Sequence, residues 1–503
     1  MLKKFIATLG ILAISLSVHA QSTYFNVTET EPFKDSRRGS SLEGAFTLAS
    51  GEIVAVRAAK KELLVSSFDA NYNLQSDIEL NLERKESYLG SSISDEKLRV
   101  FTVYDVDKNR REVYCHTYTI SSRTVIKTKL YTATSSTQKR SKYGAYGPKK
   151  HNENFRGSPD GNYLAFAVDN INSKTNSYSI RVYDRDLNLV YDRSYYSDIE
   201  RNFKFDDFIV TNDAEIISVG KLYKVGKKDR RNGKANYDYV IHKVTENENS
   251  SSVLRLKNNF INELRFAQTD ALIRLFGFYS ELSSYRMKGA LSYNMQGTNI
   301  EDISLKQGPF PETIFQDLFR EARAERLKEK EKEFRDFYLD YAFVDENGNS
   351  YLLAEEFYIT QSTSSNGAMG GMSTSTQYHY DDILIIKFDS AGDILWGRGI
   401  LKKDNAPSYN ALVMDNELHV FFNTGKKIKN KTDGRKKAKR HFFSSTALFD
   451  VVFDANGKDT FEMIQENKGK AIYRPYLGTY DFDKFILANL SKSKKQFLIL
   501  SKK

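Results

Sequence analysis

Residues 155 to 195 read FRGSPDGNYLAFAVDNINSKTNSYSIRVYDRDLNLVYDRSY, and the alternation of apolar runs with turn residues in this stretch decides the fold. It divides into a strand ending near Ser158, a PDG turn, the run YLAFAV, a loop, the run SIRVYD, a second turn, and LVYDRSY. Short runs of β-branched and aromatic residues bounded by Gly, Pro, Asn and Asp are the mark of strands. In the second turn Asp184, Asp186 and Asn188 stand at alternate positions, as ligands do in the first half of a calcium loop. A helix-flanked calcium loop also needs glycine at its sixth place and a bidentate acid at its twelfth. Counting from Asp184, those places hold Leu189 and Tyr195, so the stretch reads as a hairpin turn in which Asp caps through its side chain. Related stretches recur as FDANYNL (68–74), YDVDKNR (104–110), FVDENGN (343–349), FDSAGDI (388–394) and FDANGKD (453–459).

An SPDG between the first two strands and a YD turn between the last two resemble the repeat of secreted β-propellers of the TolB and WD-like kind. Further units on the same frame begin near Gly44, Ser91, Pro159, Phe208, Leu264, Tyr341, Leu412 and Tyr480. Their mean spacing is about 60 residues, against the roughly 40 to 50 that a four-stranded blade needs, which leaves room for long loops. The last unit, RPYLGTYDFDKFILANLSKSKKQFLILSK, supplies three strands, and STYFNVTET (22–30) is the candidate for its fourth. Pairing the two ends of the chain would remove the sheet edge that an open ring exposes. The expected fold is all-β: a single propeller over 21–503, with eight blades, or seven as the alternative. Residues 382–400, DILIIKFDSAGDILWGRGI, with the lone Trp396 and the preceding YLLAEEFY and YHYDD, resemble uncharacterised envelope propeller proteins of Gram-negative bacteria. That resemblance carries no activity to transfer.

The chain opens MLKKFIATLGILAISLSVHA, a basic start, an apolar run and small residues up to Ala20, which is the layout of a secretory signal peptide. Its apolar run is too short to span a bilayer as a helix. Cleavage after Ala20 and an exported, periplasmic protein, soluble or peripheral to the outer membrane, are expected. The one cysteine, Cys115, cannot form an internal disulfide, so stability must come from a core. Its place in a strand pattern reads as a buried apolar residue.

Residues 311–341, PETIFQDLFREARAERLKEKEKEFRDFYLDY, break the strand pattern and read as a helical insertion at about 311–340. Ile314, Phe315, Leu318, Phe319 and Ala322 form one apolar stripe, Phe334, Phe337 and Tyr338 resume one, and the charged middle should be solvated. Up-and-down connectivity puts the loops between second and third strands, and those between blades, on one face of the disc. The long insertions at 139–150, 221–234, 311–341, 361–377 and 426–440 all fall on that face. The Ser, Gly and Met tract 361–377 reads as a flexible loop.

Residues 139–150 carry five basic groups and no acid, 221–234 seven and one, and 426–440 nine and one. Removing these loops and the leader's +2 from the net charge of +10 leaves −11 on the rest of the chain. A field so focused attracts an acidic protein surface or an anionic envelope component, such as an outer-membrane complex; nucleic acid is disfavoured by export. The candidate partner-binding residues are Lys139, Arg140, Lys149 and Lys150; Lys227, Lys228, Arg230 and Arg231; and Lys426, Lys427, Arg435, Lys436, Lys437, Lys439 and Arg440.

No GxSxG, HExxH, CxxC or GxxxxGK[ST] is present. His379 with Asp381 is the one histidine–carboxylate grouping of interest, since alternate strand residues share a side and Asp382 faces away. No catalytic residue, cofactor or metal is assigned. Two functions are carried forward: a non-catalytic scaffold or binding module for an acidic partner, and a propeller hydrolase or glycan-binding protein with its site at the central pocket. Carboxylates and aromatics clustered in the central channel would favour the second, and an apolar plug the first.

Overall fold

The computed structural model describes residues 22–503, apart from 60–61, 108–109, 135–152, 172–175, 197–201, 255, 257–258, 270–271, 330–332, 367–370, 426–427, 431–435, 439–445 and 468. Eight four-stranded antiparallel sheets are arranged as the blades of a β-propeller. Seven take their strands in chain order, with first strands Ser41–Thr47, Glu86–Ser94, Glu153–Gly157, Phe203–Val210, Phe260–Gln268, Phe337–Val344 and Tyr409–Met414. The eighth takes Thr479–Asp481, Lys484–Ala488 and Phe497–Lys502 from the C-terminus, and its outer strand, Phe25–Glu29, from the other end of the chain. That strand pairs antiparallel from Phe25 opposite Lys502 to Glu29 opposite Leu498, which closes the ring as expected.

First strands of successive blades touch one another, so they are the innermost. Between blades seven and eight the 3-10 turn Pro475–Leu477 fills the gap, touching Tyr409–Met414 on one side and Ser41–Thr47 on the other. The core follows the same plan. Each hydrophobic cluster spans one blade-to-blade interface, and the eight clusters of described residues account for the eight interfaces. Every blade therefore buries both faces, which explains why the middle strands are continuous apolar runs such as Leu63–Phe68 and Ile273–Ser280.

Five of the six recurrent aspartate stretches are turns of one kind, and the sixth, YDVDKNR (104–110), lies partly outside the described residues. Asp69, Asp184, Asp345, Asp389 and Asp454 each accept, on one carboxylate oxygen, the backbone N–H groups two and four residues on, at 2.8–3.0 Å. The residue three places on is left-handed in all five: Tyr72, Leu187, Gly348, Gly392 and Gly457, with φ between 64° and 88°. Four lie between third and fourth strands and one between first and second, all on the face opposite the long insertions.

Two expectations on the insertion face are corrected. The single helix over 311–341 is two short helices, α1 (Glu312–Leu318) and α2 (Glu321–Glu329), followed by strand from Phe334. Phe319 leaves the helix at φ −120°, ψ 157°, because the first stripe is already seated: Ile314 and Leu318 fill a trough over Gly397 and Gly399, where an added Cβ would lie 2.6 Å from either side chain. Asp317 accepts Arg398 Nε at 2.7 Å and the Gly399 N–H at 2.9 Å. Phe334 folds back over Phe310, Phe315 and Phe319 instead of extending a second helical stripe. The charged middle is solvated, with Ala324 buried and Ala322 exposed. The tract 361–377 is no loose loop either: the middle strands of blade six run through it as a hairpin, Ser350–Asn366 against Gly371–Phe388. Its strands continue those of the blade, Tyr351–Ile359 against Tyr378–Lys387, and carry the β-branched residues Thr363, Thr374 and Thr376, which suit extended backbone.

Candidate ligand site on the propeller axis

Five innermost strands are interrupted by a bulge in their first half, the end nearer the insertion face. The register skips Glu43 in blade one, Leu89 in blade two, Asp206 in blade four, Asn262 and Glu263 in blade five, and Asp340 in blade six. A bulge re-aims the side chain it adds, and here four of the blades add an acid. All four acids keep part of their surface open to solvent.

Tyrosines hold several of them. Tyr409 Oη donates to Asp340 Oδ2 at 2.8 Å, and Tyr239 Oη to Asp206 Oδ2 at 2.7 Å. Glu263 Oε1 pairs with Arg265 Nη2 at 3.0 Å. The convergence shows in how the groups act on one another. Burial, with the charges of Asp340, Glu355 and Glu43, pushes Tyr476 up to about 12, so acids of blades one and six meet at the turn before blade eight. Burial works against the Arg265 charge, yet Glu263, Asp207, Asp206 and Asp340 hold its pKa above the ordinary guanidinium value. Burial raises Glu263 above the usual carboxylate range despite Arg265. The result is a partly wet ring of carboxylates, phenols and two cations, Lys204 and Arg265, with net negative charge. Such a ring can accept hydrogen bonds from ligand hydroxyl or amino groups; Tyr239 and Tyr409 are buried and hold its acids from behind, while Tyr476 keeps part of its ring open.

The basic insertions are only partly described. Lys227, Lys228, Arg230 and Arg231 lie exposed on the blade-four hairpin, whose strands are Arg230–Arg231 and Lys234–Ala235. Lys436 and Lys437 pair with Lys429–Asn430 in a second short hairpin. Lys139, Arg140, Lys149, Lys150, Lys426, Lys427, Arg435, Lys439 and Arg440 lie outside the described residues, as does the expected signal peptide. The blade-four hairpin stands at the mouth of the ring. Its root, Lys221, is held between the rings of Tyr237 and Tyr239, 4.5 and 5.6 Å away, and 3.7 Å from Asp229. Burial lowers its pKa, and Lys204, Asp206 and Glu263 of the ring are among the charges acting on it.

Histidines among the described residues are structural. His116 pairs with Glu86 at 2.9 Å, His242 bonds Tyr178 at 2.8 Å and His419 bonds Asp450 at 2.7 Å, all buried. His379 stacks on Tyr358 at 4.4 Å and bonds Thr360, while Tyr358 Oη donates to Asp381. A bulge at Glu356 brings that side chain to Asp381 and Asp382; burial and Asp381 push Glu356 up to about 7. No group of His, Cys, Asp and Glu able to hold a metal is found among the described residues. Cys115 is buried, and burial pushes its thiol up to about 11.

With the ring and its mouth defined, the chain can be set beside known proteins. No family model matches it, and no curated protein does. Among solved structures it is similar to the Dos1 propeller, at 9% identity and a TM-score of 0.43 over 94% of both chains. It is also similar to a europium-containing methanol dehydrogenase, at 9% identity and 0.46 over 94% of this chain and 93% of that one. The polysaccharide lyase Uly1 gives 8% and 0.41, over 95% and 99%. At such identities the likeness is one of fold and does not bear on chemistry. The propeller half of the sequence-level resemblance holds in the eight blades, and its TolB-like and Gram-negative envelope half finds no matching family.

The axial acids are candidate site residues that sequence reasoning missed. The available signal is an acid placed inside the innermost strand of four blades, in LEG (42–44), FDD (205–207), NEL (262–264) and LDY (339–341).

Proposed function

We propose that this protein is a glycan-binding propeller whose site is the acid and tyrosine ring at the insertion-face mouth of the axis. The observation that carries this reading is the set of four bulges that add Glu43, Asp206, Glu263 and Asp340 to the innermost strands of four different blades, at the end nearer the insertion face. Carboxylates accept hydroxyl hydrogen bonds, and the partly open Tyr476 ring can stack on the apolar face of a sugar. The negative balance of the ring disfavours uronic acids and favours neutral or amino sugars. Binding without turnover fits best, because the ring acids are engaged by Tyr239, Tyr409 and Arg265 rather than set opposite one another as a general acid and base. An array of neutral, amino and acidic oligosaccharides probed with the full chain tests the reading. Retention of neutral or amino sugars supports it, retention of uronic acids alone contradicts it, and release of shorter products would make the protein a hydrolase.

A second reading rests on the exposed Lys227, Lys228, Arg230 and Arg231. In it the insertion face docks an acidic partner, and the propeller acts as a scaffold, for example at an outer-membrane complex. Export belongs to the same proposal: N-terminal sequencing of the mature protein should begin at Gln21, and a start at Met1 would refute it. No helix among the described residues is long and apolar enough to cross a membrane.

A further inference from the structure

The mouth of the ring carries a second feature. The blade-four hairpin presents five exposed cations, Lys227, Lys228, Arg230, Arg231 and Lys234. Beside them stand three exposed apolar side chains: Val225 on the same hairpin at 55% exposure, and Leu282 and Tyr285 on the neighbouring blade-five loop at 47% and 70%. Ser284 of the blade-five loop is among the groups acting on the Asp229 carboxylate of the hairpin, so the two loops lie side by side. Acids on this surface are engaged locally. Asp229 accepts Tyr223 Oη at 2.7 Å, Asp238 faces Lys224 at 3.3 Å, and Glu281 holds Lys288 at 2.8 Å. The blade-six hairpin rises from the same face and carries an exposed cross-strand pair, Ile359 opposite Tyr378. On the opposite face the most exposed aromatic, Phe482, has acidic neighbours on both sides, Asp481 and Asp483.

We infer that the insertion face docks on an anionic lipid surface, with the blade-four and blade-five loops as the contact. This rests on the second reading above and names its partner. A protein partner would be met by a flat patch with an apolar centre and a polar rim. Here the apolar side chains sit on projecting loops among cations, which suits insertion of loop tips between headgroups. Tyrosine favours that interface, and lysine and arginine there gain from the negative surface potential. The same geometry would turn the mouth of the ring toward glycans borne on that surface.

Flotation of the full chain with phosphatidylcholine vesicles, and with vesicles of equal phosphatidylcholine and phosphatidylglycerol, tests the inference, with soluble polyglutamate as a second probe. The wild type should float only with the anionic vesicles, and added salt should release it. The quadruple variant K227E/K228E/R230E/R231E should lose binding to both vesicles and polyglutamate, by about fivefold or more per cation. The variant V225S/L282S/Y285S should keep polyglutamate binding and lose vesicle binding by tenfold or more. All changes are on the surface, and unchanged circular dichroism spectra confirm folding. If the apolar variant floats like the wild type, the lipid inference falls while the acidic-partner reading stands. If the wild type binds neither probe, both fall.

Discussion

The buried arginine of blade one offers the sharpest test of how the ring is closed. Arg57 is fully buried, and its guanidinium is bound by Asp35 at 3.0 Å, Ser40 at 2.7 Å and Ser66 at 2.9 Å, with Asp77 as a further partner. Asp35 lies on the crossing from the outer strand of blade eight to blade one, and Lys495 of blade eight stands 3.8 Å from it. One cluster thus fastens the two ends of the chain to the disc. Removing one member of a buried ion pair costs about 3–5 kcal/mol, most of it from the charge left behind. Asp35 would keep the Gly39 and Ser40 N–H groups, at 2.9 Å each, and Lys495, so Arg57→Met should cost about 3 kcal/mol, the low end of that range. Urea unfolding followed by far-UV circular dichroism reads the total. Amide exchange in Phe25–Glu29 and Phe497–Lys502 reads the closure itself and should accelerate before that of the other blades. The pH dependence has a definite sign. Burial raises the Asp35 pKa, but its hydrogen bonds from Ser40 and the charges of Arg57 and Lys495 bring it below the ordinary value. Its contribution is therefore full above that value and lost as pH falls, and Arg57→Met should flatten this acid limb. A loss below about 1 kcal/mol, or exchange that quickens evenly in all blades, would refute the role given to the cluster.

Two further outcomes follow from local geometry. Gly399→Ala places a Cβ 2.6 Å from Leu318 and should cost about 1–3 kcal/mol by lifting α1, seen as faster tryptic cleavage at Arg320 and Arg323; an unchanged cleavage pattern would contradict the trough. Burial would raise Glu86, but His116, Lys127 and Thr102 take it down to about 2 from 4.5. Its stabilisation, up to about 3 kcal/mol, is present above pH 4.5 and lost as pH falls toward 2, so Glu86→Gln should remove that part of the acid unfolding curve.

The blades were legible because their turns repeat a chemistry. Asp184 and its counterparts announce the hairpins through one carboxylate and two N–H groups, and the blade starts inferred from them fall in, or just after, the observed first strands. The ring closure was legible as a missing strand. The helical insertion was legible but its break and its end were not, because Phe334 and Phe337 have helical spacing from the first stripe but find their partners by folding back over α1. The axial acids were hidden for a different reason. Strand alternation assigns each side chain a face, and a bulge at Asp206, Glu263 or Asp340 breaks that alternation, so the acid is visible in the sequence but the direction it takes is not. Which acids converge is set by the circular arrangement of blades, a property of the whole chain.

The central claim is that the bulge acids form a sugar site, and titration calorimetry of the best neutral or amino sugar from the array measures it most directly. Asp340→Asn and Asp206→Asn each remove a charged acceptor, worth about 1.5–3 kcal/mol, so each should weaken binding by about 10- to 100-fold while leaving thermal unfolding nearly unchanged. Affinity equal to the wild type in both variants would place the sugar elsewhere and contradict the account.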